Sequence, residues 1–455
     1  MYKFHCFLII LIIKLNNFKI IKLPFKRKLN TNLNENNLIE SLYFNEIYTK
    51  IEVGEPSEKF NIFIKLQQFP TFLITEDYLE AKSKTFNQNK SKSFEYIEQN
   101  SSINYYNFDF YHGLLSKDIF YLNDKKIKIE KLKFILAKDL SQNAIEYSGE
   151  LGLKLQSHYS SFNNTINIIY QLKEKKIIDK FSFYLKYNKE DEGELIIGDY
   201  LHNIDNGFKE NEFIFIQIPI VSNKLNYAMT NNLGYIENEK IINYTFFISL
   251  QYEFGLIQSI PEYYFKIKKK FFGNFPNECL EKEFKKENLK DKTFIYFVCS
   301  KKVDIKKFPN LIIENLEMKY NLTFNYEDLF FNYNDKNYFF IVFEKPFNSY
   351  QNWIFGKPFF KKYLILFDGD KKLIGLYKNY SKSINVNFLW IIIFILVLIL
   401  IGAFIYIKYL LSLNKRKIRA NELEDNYEYL PENIEKNKEE KLIKGISKIK
   451  TQFIL

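Results

Sequence analysis

Tyr43 to Ile74 reads YFNEIYTKIEVGEPSEKFNIFIKLQQFPTFLI. Its apolar residues alternate on both sides of a turn: Ile47, Ile51 and Val53 before it, Phe60, Ile62 and Ile64 after it. A period of two interrupted by Gly54-Glu55-Pro56 predicts two antiparallel strands joined by a tight connection. Working outward, Glu76 to Ser102 is polar and is expected to be a surface loop. Alternating strands are expected from Ile119 to Asp139, IFYLNDKKIKIEKLKFILAKD. IIYQLKEKKIIDKFSFYL, Ile168 to Leu185, predicts a helix followed by a strand. From Phe213 the pattern begins again with FIFIQIPIV, a turn-rich stretch, and a second apolar run from Ile242 to Phe272.

The chain has 455 residues, enough for a large core and two lobes. Hydrophobic residues at 47% and aromatics at 18% exclude a disordered protein. The net charge of +11 comes from lysines scattered among nearly as many acids. No basic stripe interleaves with aromatics, so no nucleic-acid partner is expected. Of three cysteines, Cys6 lies in an N-terminal apolar run, leaving Cys279 and Cys299 in the body. In a chain with secretory signals, that isolated pair reads as a disulfide rather than a metal site. The histidines show no ligand spacing, and neither a metal nor another cofactor is expected.

The hairpin and the residues immediately after it resemble the opening of pepsin-like aspartic proteases, where an aromatic-rich strand, a Gly-x-Pro turn and a second strand lead into Asp-Thr-Gly-Ser-Ser. Other segments carry the same resemblance. Tyr111 and Gly113 in FDFYHGLLSKD (Phe108 to Asp118) are similar to a remnant of the family's flap, in a segment several residues short. Ser148-Gly-Glu-Leu-Gly-Leu153 resembles the hydrophobic-hydrophobic-Gly segment beneath the first catalytic loop, with Glu150 an odd substitution. GELIIGD (Gly193 to Asp199) resembles the strand and turn closing the first lobe. Cys299 lies in a stretch similar to the family's Cys-before-Pro strand, with Cys279 as its partner. NWIFGKPFFKKYLILFDGDKKLIGLY (Asn352 to Tyr377) resembles the terminal signature, with Ile354-Phe355-Gly356 the second hydrophobic-hydrophobic-Gly. The resemblance covers Leu42 to Lys378. It implies a mainly β, bilobal pepsin-like aspartic protease fold, with an N-terminal lobe over 42–205 and a C-terminal lobe over 206–380.

It also marks what is missing. The residues at the first Asp-Thr-Gly are Lys65-Leu66-Gln67, and counting back from Pro261 puts the second aspartate near Tyr252. No Asp occurs between Asn243 and Pro261, and Glu253 is one position off. Lys65 is expected to point to solvent from a relaxed loop, the alternative being a catalytic lysine with a pKa depressed by burial.

At the chain ends, Cys6 to Ile13 fits the apolar part of a signal peptide over 1–20. Residues 21–41 read as a polar linker or, since IIKLPFKRKL is similar to the family's basic propeptides, a propeptide-like segment. Phe388 to Ile407 is uninterrupted by charge and long enough to cross a bilayer as a single helix. Trp390 and Tyr406 lie near its ends, and Lys408, Lys415, Arg416, Lys417 and Arg419 come after it. This predicts a type I orientation, with the tail 408–455 in the cytosol and the body lumenal or extracellular. Tyr427-Glu-Tyr-Leu430 has a sorting-signal form that chance also produces in such a composition. Candidate glycosylation sites are Asn89, Asn100, Asn163, Asn243, Asn321 and Asn379. Two functions are compatible with these residues. One is a membrane-anchored, non-catalytic protein binding peptide or protein ligands in the interlobe cleft. The alternative is an active aspartic-type endopeptidase with a divergent site.

Overall fold

The turn of the opening hairpin depends on Gly54, which sits at φ +91° with Ser91 Oγ 2.9 Å from where a Cβ would lie. A side chain would be both strained and obstructed there. β2 (Ile47–Val53) and β3 (Glu58–Lys65) pair antiparallel on either side, from Val53↔Glu58 to Tyr48↔Phe63. The computed structural model describes residues 20–28, 38–43, 45–66, 70–78, 83–97, 103–104, 110–123, 126–140, 147–154, 166–221, 224–225, 227–237, 239–241, 244–285, 292–345, 352–378 and 386–427. The chain divides into two compact units, one up to Tyr380 and one from Ser381.

The first unit is mainly β and is built on two large sheets. Among the described residues the larger has 14 strands, and β1 (Ile21–Arg27) lies in its interior. On one side of β1 come Glu192–Ile197, Ser182–Tyr187, Ile365–Asp368, Leu373–Tyr377 and Phe213–Gln217. On the other come β2, β3, Gly149–Gly152, β4 (Phe72–Ile74), Ile127–Leu140 and Phe110–Leu122, with the short strands Glu95–Tyr96 and Ile103–Asn104 both paired to the last. The second sheet draws its strands from Ala228 to Phe355.

The repeat expected from Phe213 onward is visible in the pairing. In the first sheet β3 runs parallel to Gly149–Gly152, and β4 pairs antiparallel with that strand and parallel with Ile127–Leu140. In the second, Phe246–Leu250 runs parallel to Trp353–Phe355. Ile257–Ser259 pairs antiparallel with that strand and parallel with Ile341–Lys345. Gly356 ends the second copy where a Cβ would meet Phe254 O at 2.1 Å and Leu256 O at 2.3 Å. Only glycine lets these backbones approach so closely.

Two expectations need correction. Glu76–Ser102 is not simply a surface loop: Phe86 is buried against Phe60 and Phe134, and Ser93 Oγ donates to the buried Asp118 carboxylate at 2.5 Å. Aromatic burial anchors a polar stretch that lacks periodicity. Residues 21–27 form the strand β1, so this part of the segment 21–41 is not the polar linker that was one of its two readings.

Cys279 and Cys299 face each other across the antiparallel strands Cys279–Lys285 and Thr293–Ser300, and they are disulfide-bonded. Of the glycosylation candidates, Asn89 is exposed in a 3-10 turn and Asn321 is exposed on the strand Tyr320–Phe324. Asn100, Asn163, Asn243 and Asn379 lie outside the described residues, as do the signal-peptide stretch 1–19 and residues 428–455.

Among the described residues the second unit contains one helix, Val386–Tyr427. From Phe394 to Arg419 it is long and apolar enough to cross a membrane. Phe394, Leu400 and Phe404 are exposed by 64%, 68% and 62%, unlike side chains of a soluble core helix.

Removing the disulfide with Cys279→Ser and Cys299→Ser is expected to lower stability by about 3 kcal/mol through the freed loop, measured by chemical denaturation of the full chain in detergent.

Candidate functional site

β3 ends at Lys65, beside Gly152 in the parallel ladder, and Leu153 N–H donates to Lys65 C=O at 2.9 Å. Because Phe63 pairs with Glu150, the side chains of Phe63, Lys65 and Glu150 share one face of the sheet. Lys65 Nζ lies 3.6 Å from Glu150 Oε1, with the lysine side chain 24% exposed and the glutamate fully buried. Tyr147 OH donates to the same oxygen at 2.9 Å, and its ring lies 4.2 Å from that of Phe63. Around them is an apolar cluster of Phe63, Phe72, Ile74, Ile135, Ala137 and Ile166. Lys65 therefore does not point to open solvent as expected. The unusual residue in each of two segments is the other's counter-charge.

Leu66, the next residue, crosses to the second sheet. Its backbone N–H donates to the Glu253 carboxylate. Glu253 is held from its other end, since its C=O accepts from Asn45 N–H at 2.7 Å. The Asn45 side chain donates to Tyr252 C=O and Tyr187 OH, both at 2.9 Å. Tyr227 OH donates to Leu153 C=O at 3.0 Å, and Gly255 N–H to Tyr43 C=O at 2.9 Å. The residues after β3 and those after Phe246–Leu250 thus meet at one junction, as the repeat requires. Tyr252 is fully buried there, with its ring edge-on to Phe360. Burial, and after it the Glu253 carboxylate, pushes its phenol well above the usual 10, so it is neutral at every physiological pH.

Tyr111 and Gly113 lie on the long strand Phe110–Leu122. Gly113 is buried and pairs with Ile103 on one side and Ala137 on the other. Residues 105–109, between the paired strands, lie outside the described residues. Among the described residues no group of His, Cys, Asp and Glu is arranged to hold a metal ion.

Sequence reasoning saw Lys65 and Glu150 as separate oddities and missed that they meet. The signal was available in their opposite charges and in the parallel pairing of the segments that carry them. Asn45 gave no signal, because its role depends on partners more than 140 positions away.

Replacing Lys65 by Met should destabilise the protein by about 2–4 kcal/mol, because Glu150 would then keep a buried charge without its cation. A Lys65→Met, Glu150→Gln double variant, which retains an acceptor for Tyr147, should recover most of the loss. Chemical denaturation checks this, and simple additivity of the two single losses would show that the side chains act independently.

No curated protein matches the chain. Residues 46–242 match the family model of eukaryotic aspartyl proteases, and over that stretch the chain is a domain of this pepsin-like family.

Proposed function

We propose that this is a single-pass membrane protein whose aspartic-protease-like part binds peptide or protein ligands in a cleft between lobes 42–205 and 206–380 without cleaving them. The observation that carries this reading is the Lys65–Glu150 pair. Aspartic proteases need two carboxylates that share one proton, one acting as base for the attacking water and the other as acid. Lys65 offers no lone pairs while it is paired with Glu150, and Tyr252 is a buried neutral phenol. Losing both members of a pair that acts as a unit leaves little chemistry. Binding is less affected. An extended ligand is held by strand-like backbone hydrogen bonds, which these substitutions leave in place.

The second reading, an active endopeptidase with a divergent site, is favoured by one observation. Glu150 and Glu253 both reach the adjacent residues Lys65 and Leu66, so two carboxylates do come to the junction. Against it, Glu150 is buried in an ion pair and Glu253 is occupied by the Leu66 N–H.

Cleavage assays decide between the two. The full-length chain in detergent, offered a diverse peptide library between pH 3 and 7, is expected to retain peptides uncut. Proteolysis blocked by a pepstatin-type inhibitor and abolished by Glu253→Gln would establish the second reading. Absence of both retention and cleavage would remove the ligand-binding proposal.

The proposed orientation rests on Lys408, Lys415, Arg416, Lys417 and Arg419, which come after the apolar stretch. In sealed microsomes, added protease is expected to trim only the C-terminal tail. Digestion of the body with the tail protected would reverse the topology.

A further inference from the structure

We propose that the chain pairs with a second copy of itself along the open edge of the larger sheet. The strand Phe213–Gln217 joins its counterpart antiparallel, about a twofold axis at Phe215. Among the described residues this strand is the last of the sheet on its side, paired with Leu373–Tyr377 alone. Exposed edges are commonly blunted by lysine, proline or a bulge. Phe213 to Ile218, FIFIQI, carries no charge, and the first proline is Pro219. The register is unbroken from Phe213↔Tyr377 to Gln217↔Leu373.

The main chain fixes where a partner strand bonds. Lys378 N–H donates to Glu212 C=O at 3.0 Å, and Ile218 N–H donates to Lys372 C=O at 2.8 Å. Bonded pairs alternate along an antiparallel ladder, so Glu212, Ile214, Ile216 and Ile218 face the neighbouring strand. Phe213, Phe215 and Gln217 turn their main-chain groups outward. Of these, Phe213 N–H is already donated to Glu210 C=O. A pairing centred on Phe215 matches this set. Each Phe215 exchanges N–H and C=O with Phe215 of the second copy, and each Gln217 N–H meets the Phe213 C=O opposite. The occupied donor is not called on.

The side chains carry the same symmetry. Phe213 is seated over Gly375, where a Cβ would stand 2.1 Å from its Cζ, and its ring lies 5.1 Å from that of Tyr377. Phe215 stacks on Phe213 at 6.0 Å and 28°, yet remains 51% exposed. Twofold pairing sets the two Phe215 rings opposite each other, with a Phe213 ring one step further along on each side. Both bare rings then gain an aromatic neighbour across the strands.

Charge points to a second copy as the occupant. Glu210 and Glu212 precede the strand, whereas Lys371 and Lys372 form the turn beside its far end. Antiparallel self-pairing brings the acidic end of each copy to the basic end of the other, and a parallel arrangement would bring like to like. Twofold closure consumes both open edges, so association stops at two copies. None of this rests on the proposed ligand binding.

The test is disulfide trapping of the full chain in its native membrane, with Cys6→Ser and with Cys279 and Cys299 left bonded. Phe215→Cys puts the two new thiols at the twofold axis, with Cα atoms about 5.5 Å apart and within disulfide reach. Gln217→Cys, on the same strand, lies four residues out of register with its own copy, about 14 Å away. Mild oxidation is expected to yield roughly tenfold more covalent dimer from Phe215→Cys than from Gln217→Cys, because only the first pair meets disulfide geometry. Equal yields, no dimer from either, or a product whose mass is not twice that of the chain would overturn the pairing. In parallel, energy transfer between donor-tagged and acceptor-tagged copies in one membrane should be lost when both carry Phe215→Lys, a charge that blunts the edge. Transfer that is absent from the parent, or unchanged by Phe215→Lys, would also overturn it.

Discussion

A carboxylate with no exposed surface, set among phenyl rings, requires a cation and hydrogen-bond donors around it. Glu150 imposes that requirement at the centre of the first sheet. The parallel register of β3 against Gly149–Gly152 meets it by bringing Lys65 to the same face, and Tyr147 adds a hydroxyl donor. The arrangement explains why a lysine ends β3 and why a glutamate interrupts an apolar segment. It also commits Lys65, whose ammonium is oriented inward by a partner on its own sheet.

The junction between the two sheets obeys a different logic. It mixes main-chain and side-chain groups: Leu66 N–H, Asn45 N–H and Gly255 N–H donate across it, to Glu253 side chain, Glu253 carbonyl and Tyr43 carbonyl respectively, and the Asn45 amide and Tyr227 hydroxyl add side-chain donors. Rings fill the space beneath, with Tyr252 fully buried and Tyr227 packed against Phe183 and Phe367. Backbone donors are insensitive to side-chain identity.

What the sequence disclosed depended on the length scale of the signal. The hairpin at Gly54 and the repeat from Phe213 were legible because alternation and turn residues are local, and the apolar helix for the same reason. The closing strands Ile365–Asp368 and Leu373–Tyr377 were legible through the resemblance of their wording to the family's terminal signature. β1 was not: KLPFKR alternates, but its lysines and Asn-rich surroundings read as linker, and its partners are remote. Phe86 and Phe94 looked like isolated aromatics in a polar stretch, although they pack together at 5.8 Å beneath β3 and its neighbours. The Lys65–Glu150 contact needed the register between two strands, which no single window contains.

The interior place of β1 bears on how the chain is made. Arg27 and Asp191 are 164 residues apart, and the Ser182–Tyr187 strand waits in turn for Ile365–Asp368. At a synthesis rate of roughly 5–20 residues per second, β1 spends on the order of ten seconds or more with one edge exposed before Glu192–Ile197 emerges. Its exposed positions are Lys22, Pro24 and Lys26, residues that discourage a bare strand from pairing with a neighbouring chain. The same three residues that made this segment look like a linker thus serve as its protection against aggregation until the sheet closes around it.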